Sequence, residues 1–196
     1  MRRIIGPPLD RIGRRFVAAG MSANAITLAG FAIGLLAVPA LAVEWYGVAL
    51  ALILLNRLAD GIDGAVARRT RLTDFGGYLD IVCDFVFYAA VAFGFALGRL
   101  ENAIAAAFLL LSFVGTGTSF LAYAIMAAKR QLTSDRRGSK SLYYLGGLTE
   151  GTETIAVFAV FCLWPDSFVP LAYVFGALCW LTTASRALSA WRTLRD

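Results

Sequence analysis

The stretch DGIDGAVARRTRLTDFGGYLDIVCD, residues 60–84, places acidic side chains in apolar surroundings. Asp60 and Asp63 stand at the end of one apolar run, and Asp80 and Asp84 stand near the start of the next. Residues three or four positions apart share one face of a helix. If these segments are helical, the two carboxylates of each pair lie on the same face of their helix.

The composition of the chain indicates where these helices lie. Of 196 residues, 59% are hydrophobic and only 16% are charged, which is too few to cover a soluble surface. Several apolar runs approach the roughly 20 residues that a helix needs to cross a hydrocarbon core. Strands of a membrane barrel would be shorter and would alternate strictly. The sequence predicts an all-α integral membrane protein.

Six transmembrane helices are predicted, preceded by an amphipathic helix over residues 4–19 that lies on the membrane interface. The predicted spans are 24–43, 45–67, 76–97, 103–127, 148–164 and 169–190. A signal peptide ending in VPALA is a competing interpretation of the first apolar run. With no internal repeat and no soluble second domain, residues 1–196 are expected to form one membrane domain, with its six-helix core over 24–190.

The distribution of basic residues predicts the orientation of the spans. With both termini inside, the basic residues of the loops and termini lie on the cytoplasmic side, and only Arg99 remains outside. Cytoplasmic loops carry such an excess of Lys and Arg. We therefore expect cytoplasmic termini and a cytoplasmic active site, in a prokaryotic inner membrane.

The two aspartate pairs are predicted to meet. If their helices run antiparallel around the connection near Arg71, Asp60 lies level with Asp84 and Asp63 lies level with Asp80. Four carboxylates close together inside a membrane repel one another unless cations neutralise them. A structural ion pair with Arg57 or Arg68 and a cation or proton carrier are the competing interpretations.

The chemistry available to this cluster is restricted by what the chain lacks. There is no histidine, and the three cysteines lie in apolar stretches without the spacing of a metal knuckle. Oxygen ligands alone favour magnesium, manganese or calcium over zinc. Acid–base work must fall to carboxylates, and the small residues around the pairs leave room for a bulky polar ligand.

Eight residues of this stretch closely resemble the signature of the CDP-alcohol phosphotransferase family, D-x2-D-G-x2-A-R followed by G-x3-D-x3-D. They are Asp60, Asp63, Gly64, Ala67, Arg68, Gly76, Asp80 and Asp84. The segment SANAITLAG is similar to the family's Pro-Asn-x-x-Thr opening of the first span, with Ala23 where proline is common. The likeness covers most of the chain and is loose after Lys129.

The resemblance implies an activity and a set of site residues. Family members move a phosphate-linked group from a CDP-alcohol, often CDP-diacylglycerol, to the hydroxyl of a second alcohol and release CMP. By position, two Mg²⁺ or Mn²⁺ ions would be held by Asp60, Asp63, Asp80 and Asp84. Asp84 would also be the general base. The CDP-linked donor would contact Asp60, Gly64, Ala67, Arg68 and Gly76. The implied partners are a CDP-alcohol lipid, a small polar alcohol, membrane lipids and a second copy of the chain, with no nucleic acid.

The acceptor alcohol stays open between two chemistries. Family members with phosphorylated acceptors are similar in placing basic residues of the later spans near the metal site, so Arg130 and Arg186 suggest glycerol 3-phosphate or inositol phosphate. Glu150 and Glu153 share a helix face and would suit hydroxyls or the amine of serine or another amino alcohol. They are equally interpreted as acidic residues at a helix N-terminus, with Thr149 as its cap.

Overall fold

The computed structural model describes residues 2–130, 149 and 151–195, with side chains from residue 9 onward. Within these residues the structure is helical and contains no strand. The α-helices are α1 (Arg2–Ala18), α2 (Ala23–Leu35), α3 (Ala37–Ala42), α4 (Tyr46–Arg69), α5 (Asp74–Gly98), α6 (Ala103–Lys129), α7 (Gly151–Leu163) and α8 (Phe168–Leu194). Short 3-10 turns, Leu100–Asn102 and Pro165–Ser167, precede α6 and α8. The chain forms two compact units, Met1–Leu100 and Glu101–Asp196.

The first predicted span is interrupted near its middle. The segment 24–43 forms two helices, α2 and α3, which are separated at Leu36. Pro39 lacks the N–H that would bond to the carbonyl of Leu35, so the helical hydrogen-bond ladder cannot continue through this point. Together the two helices still form a region, Ala23–Ala42, that is long and apolar enough to cross a membrane.

Polar caps fix the start of two helices in the first unit. The Ser22 hydroxyl accepts a hydrogen bond from the backbone N–H of Ala25 at 3.2 Å and begins α2. The Thr73 hydroxyl accepts from the N–H of Gly76 at 3.0 Å and begins α5. Such caps satisfy N–H groups that have no partner within the helix. They set where α5, which carries the second aspartate pair, begins.

Small residues bring α2 close to α4. A Cβ atom at Gly30 would lie 2.5 Å from the Cβ of Ala59, so only glycine permits this approach. The side-chain amide of Asn56 donates a hydrogen bond of 2.9 Å to the carbonyl of Gly30 in the same buried contact. The position of α4 relative to α2 is therefore set one turn before Asp60.

The N-terminal helix packs on the other side of α4. Leu9 lies over Gly61, and a Cβ atom at Gly13 would be 3.0 Å from the Cβ of Ala65. Apolar residues of α1 also pack against a small core formed by Ile26, Ile62 and Val66. Helix α1 therefore supports the helix that carries the first aspartate pair.

The second unit is built on the pairing of α6 with α8. Its interior is rich in phenylalanine, and the buried rings belong to Phe113, Phe158, Phe161, Phe168 and Phe175. Phe161 and Phe168 join α7 to the start of α8, with ring centroids 4.7 Å apart.

Among the residues that the structure describes, four regions are long and apolar enough to cross a membrane, namely Ala23–Ala42, Asp74–Gly98, Leu100–Lys129 and Pro165–Leu194. They correspond to four of the six predicted spans. Helix α4 has 24 residues but carries several charged side chains, and α7 covers 13 residues. An integral membrane protein built of helices agrees with the sequence prediction, whereas the count of six spans stays a prediction.

Candidate active site

Three of the four predicted metal ligands come together between α4 and α5. One carboxylate oxygen each from Asp60, Asp80 and Asp84 lies within 4.8 Å of the other two. Helices α4 and α5 both pack against α2 and α3. The cleft that contains the aspartates is lined by residues of three helices: Thr27, Gly30 and Phe31 of α2, Asn56, Arg57, Asp60 and Asp63 of α4, and Asp80, Cys83 and Asp84 of α5.

Asp63 lines the same cleft but stands apart from the group of three. Its Oδ2 accepts a hydrogen bond of 2.5 Å from the hydroxyl of Thr27, and the residue is 6% exposed. The expected convergence is therefore found for Asp60 with Asp80 and Asp84, while Asp63 is directed toward α2. Thr27 belongs to the segment SANAITLAG, which resembles the family opening, but the spacing of the aspartates gave no sign of this bond.

Arg57 is the main residue of the site whose position the sequence did not predict. The sequence analysis names it only as a possible partner in a structural ion pair. Its Nη2 lies 2.7 Å from Oδ1 of Asp84, and its Nη1 lies 4.0 Å from Oδ2 of Asp60. The Tyr88 hydroxyl accepts a hydrogen bond of 3.2 Å from Nη1. The signal in the sequence was an arginine in an apolar run, one helical turn before the first aspartate.

The residues that fit a metal ion in this cleft are its carboxylates. Their oxygens are hard ligands, which suit Mg²⁺ or Mn²⁺, and three of them already lie within reach of a common cation. Cys83 also lines the cleft, but a thiol is a soft ligand and adds nothing for these ions. The donor set agrees with the metals expected from the sequence.

The predicted donor-binding residues lie at the ends of α4 and α5. A Cβ atom at Gly64 would be 3.2 Å from Nη1 of Arg68, so the guanidinium lies beside the glycine. A Cβ atom at Gly76 would be 3.2 Å from Oδ1 of Asn24 at the start of α2. Ala67, on the last turns of α4, is half-buried.

A second cavity, of about 320 Å³, opens near these donor-site residues. Its walls are formed by Val17, Gly20, Met21, Ser22, Ala23, Asn24, Thr70, Arg71 and Thr73. These residues come from the end of α1, the start of α2 and the connection between them, and from the α4–α5 connection. Asn24 belongs both to this cavity and to the contact with Gly76.

The predicted acceptor residues belong to the second unit. Arg186 is 7% exposed and donates a hydrogen bond of 2.9 Å from Nη1 to the carbonyl of Thr116. Arg130 is exposed directly after α6, and Glu153 is exposed in the first turn of α7. Glu150 lies outside the described residues.

Comparison with known proteins agrees with the chemistry of this site. The CDP-alcohol phosphatidyltransferase family model matches residues 21–187. The chain belongs to this family and is a transferase of its class. The family resemblance drawn from the aspartate motif is thereby confirmed.

Two proteins of known sequence are similar to this chain. Inner membrane protein YnjF of Escherichia coli strain K12 is 55% identical over 193 residues, which cover 98% of this chain and 94% of that protein. Archaetidylinositol phosphate synthase of Pyrococcus horikoshii is 36% identical over 101 residues, which cover 51% of this chain and 54% of that protein.

Solved structures of phosphatidylinositol phosphate synthase PgsA1 of Mycobacterium tuberculosis share the fold. The structure with CDP-DAG bound has a TM-score of 0.69 at 20% identity and covers 93% of each chain. A complex with manganese and citrate has a TM-score of 0.68 at 19% identity, covering 93% of this chain and 88% of that one.

Proposed function

We propose that this protein transfers a phosphatidyl group from CDP-diacylglycerol to the hydroxyl of a small polar alcohol, releasing CMP, in phospholipid synthesis. The observation that carries the proposal is the convergence of Asp60, Asp80 and Asp84 to within 4.8 Å in a chain of this family. Carboxylates clustered in an apolar setting repel one another unless cations neutralise them. The diphosphate of the donor adds further negative charge, which divalent ions would also neutralise.

The metal site is proposed to hold two Mg²⁺ or Mn²⁺ ions on Asp60, Asp63, Asp80 and Asp84. Bound there, the ions would supply charge neutralisation for the diphosphate of the donor. The manganese complex of PgsA1, a protein of the same fold, is consistent with this choice of metal. Asp63 would contribute through the carboxylate that Thr27 holds in place.

Asp84 is proposed as the general base. It would accept the proton of the acceptor hydroxyl while the acceptor oxygen forms a bond to the phosphorus that carries the diacylglycerol. The bond from that phosphorus to the bridging oxygen breaks, and CMP leaves with the electron pair. Since the chain has no histidine, a carboxylate is the group available for this step.

The donor is proposed to lie along the ends of α4 and α5. Arg68 would bind phosphate oxygens, while Gly64, Ala67 and Gly76 would let the nucleotide approach the backbone. Asp60 would reach the donor through the ions. Support comes from the cavity beside Gly76 and from the CDP-DAG complex of the PgsA1 fold.

The acceptor is proposed to be a phosphorylated polyol, inositol phosphate or glycerol 3-phosphate. The relative from Pyrococcus horikoshii is an archaetidylinositol phosphate synthase. PgsA1, which shares the fold, is a phosphatidylinositol phosphate synthase. Arg130 and Arg186 would bind the phosphate of the acceptor. Serine or another amino alcohol, held by Glu150 and Glu153, is the alternative acceptor class. An acceptor survey distinguishes it from the phosphorylated polyols.

The proposal also covers the membrane topology and the oligomeric state of the protein. The chain would cross an inner membrane six times, with α1 on the interface and with both termini and the active site on the cytoplasmic side. The name of the Escherichia coli relative supports the inner membrane. The functional form is proposed to be a homodimer.

The test is an acceptor survey with purified protein in detergent, CDP-diacylglycerol and Mg²⁺ or Mn²⁺. We expect lipid product and CMP in equal amounts with inositol phosphate or glycerol 3-phosphate, and neither with serine. The matched controls are Asp84→Asn and Asp74→Asn, because Asp74 is exposed in the first turn of α5. Product with serine alone would replace the proposed acceptor class, and CMP without any lipid product would indicate hydrolysis of the donor.

A further inference from the structure

Arg57 places a permanent positive charge within the carboxylate cluster. Its guanidinium bonds to Oδ1 of Asp84 at 2.7 Å and reaches to 4.0 Å from Oδ2 of Asp60. A guanidinium does not lose its proton in proteins. Asp84 therefore has one oxygen already engaged by a cation that belongs to the chain itself.

The side chain of Arg57 is fixed on all sides. Its Nε donates a hydrogen bond of 2.8 Å to Oδ1 of Asn56, whose amide is bonded to the carbonyl of Gly30. Its guanidinium carbon lies 4.8 Å from the ring centroid of Phe87 and 5.4 Å from that of Tyr88. Only 16% of the side chain is exposed. The charge is therefore held at one place rather than carried on a mobile side chain.

We propose that Arg57 is a tethered counter-cation of the carboxylate cluster and that it sets the affinity of the cleft for divalent ions by competing with them for Asp84. This inference rests on the proposed metal site. The guanidinium of Arg57 and a divalent ion bound to the same carboxylates would lie close together. Like charges repel strongly where solvent screening is low. Arg57 therefore weakens the binding of a divalent ion while it holds the carboxylates together.

The competition predicts a specific exchange at Asp84. One oxygen of Asp84 is bonded to Arg57, and the Tyr88 hydroxyl donates to the other at a longer distance of 3.5 Å. Asp84 would have to release the guanidinium to offer both oxygens to an ion, whereas it could offer Oδ2 alone with the ion pair intact. Removing the positive charge makes both modes easier, so the affinity for the ion rises.

The experiment measures Mn²⁺ binding to the full chain in detergent, from the electron paramagnetic resonance signal of the free ion. We expect Arg57→Gln to bind Mn²⁺ at least about tenfold more tightly than the original chain, because a like charge is removed. Arg57→Lys keeps the charge and should stay close to the original affinity. Unchanged or weaker binding in Arg57→Gln would overturn the proposal.

Arg99→Gln is the matched control. Arg99 also forms an ion pair, with Nε 2.8 Å from Oε2 of Glu44. It follows the end of α5, 15 residues beyond Asp84, which is about 22 Å along a helix. The affinity for Mn²⁺ should not change in this variant. A gain equal to that of Arg57→Gln would show a general effect of net charge and would contradict a local role for Arg57.

Melting without added metal tests the same role independently of binding. Arg57→Gln should lower the melting temperature, and Arg57→Gln combined with Asp84→Asn should recover part of the loss, because the stranded charge is removed. A double variant no more stable than Arg57→Gln alone would contradict the counter-cation role.

The two experiments distinguish this inference from the proposed metal site. If the original chain binds no Mn²⁺ but the melting temperatures change as expected, the proposed metal site is wrong, while Arg57 still neutralises the carboxylate cluster. If Arg57→Gln does not fold, the double variant is compared with Asp84→Asn, which tests whether the charge of Arg57 weakens binding to the remaining carboxylates. Equal affinities in these two chains would contradict the proposal.

Discussion

Thr27 and Asp63 are joined by a hydrogen bond of 2.5 Å between the threonine hydroxyl and Oδ2 of the carboxylate. The bond connects α2 to α4 across the cleft. Its length is typical of a hydroxyl that donates to a charged acceptor. Asp63 is thereby held in one orientation, directed toward α2, in the cleft that also contains the other three aspartates.

Thr27→Val should weaken metal binding. Valine has nearly the shape of threonine but cannot donate, so Asp63 loses the contact that orients it. Loss of such supporting contacts reduces metal affinity or activity by about 10–100-fold. The measurement is Mn²⁺ binding with rates of CMP release. Thr118→Val is the control, since the Thr118 hydroxyl is exposed and bonds to carbonyls of its own helix. Equal affinities in Thr27→Val and the original chain would contradict the role assigned to Thr27.

Much of the cluster could be predicted from the sequence because helical periodicity decides which residues share a face. Asp60, Asp80 and Asp84 meet as the spacing predicted. Asp63 and Arg57 could not be predicted in the same way, because their partners come from neighbouring helices. Thr27 lies 36 residues before Asp63, and Asp84 lies 27 residues after Arg57. Such contacts depend on how the helices pack.

The helices themselves were largely predicted from apolar runs, with one instructive difference. The first span was predicted as a single helix, but Pro39 divides it into α2 and α3. The signal was present in the sequence as a proline within VPALA. Hydropathy over a window does not register the missing N–H, so it detects the span and not its interruption.

Gly30→Val should destabilise the first unit. The new side chain would begin 2.5 Å from the Cβ of Ala59, so α2 and α4 would have to move apart. Overpacking of this kind destabilises by about 1–3 kcal/mol. The measurement is the melting temperature in detergent. Gly47→Ala is the control, because a Cβ atom there meets nothing within 4 Å. A Gly30→Val chain as stable as Gly47→Ala would contradict the close approach of α2 and α4.

Removal of metal should affect stability through the aspartates. A ligand at 100 times its dissociation constant stabilises the folded state by about 2.7 kcal/mol. We therefore expect Mn²⁺ to raise the melting temperature, and a chelator to reverse the rise. Asp80→Asn should lose most of this response, whereas Asp74→Asn should keep it. An equal response in both variants would place the ion elsewhere.

Arg186→Lys should impair use of a phosphorylated acceptor. Lysine keeps the charge but loses the planar fork that binds two phosphate oxygens at once. A lost charge-assisted hydrogen bond is worth about 1.5–3 kcal/mol, so the acceptor KM should rise about tenfold or more while the donor KM stays within about twofold. Initial rates at varied acceptor and donor concentration measure both. Arg192→Lys, at an exposed position in the last turn of α8, is the control. A rise in the donor KM instead would assign Arg186 to the other substrate.

The release of CMP from CDP-diacylglycerol by the original chain and by Asp84→Asn, with and without Mg²⁺ or Mn²⁺, tests the proposed chemistry most directly. We expect release that needs the metal and the acceptor together and that falls by at least about 100-fold in Asp84→Asn, in line with the 10²–10⁴-fold contribution of a general base. Full activity in Asp84→Asn, or release that persists after the metal has been chelated, would contradict the assignment of this cleft as the active site.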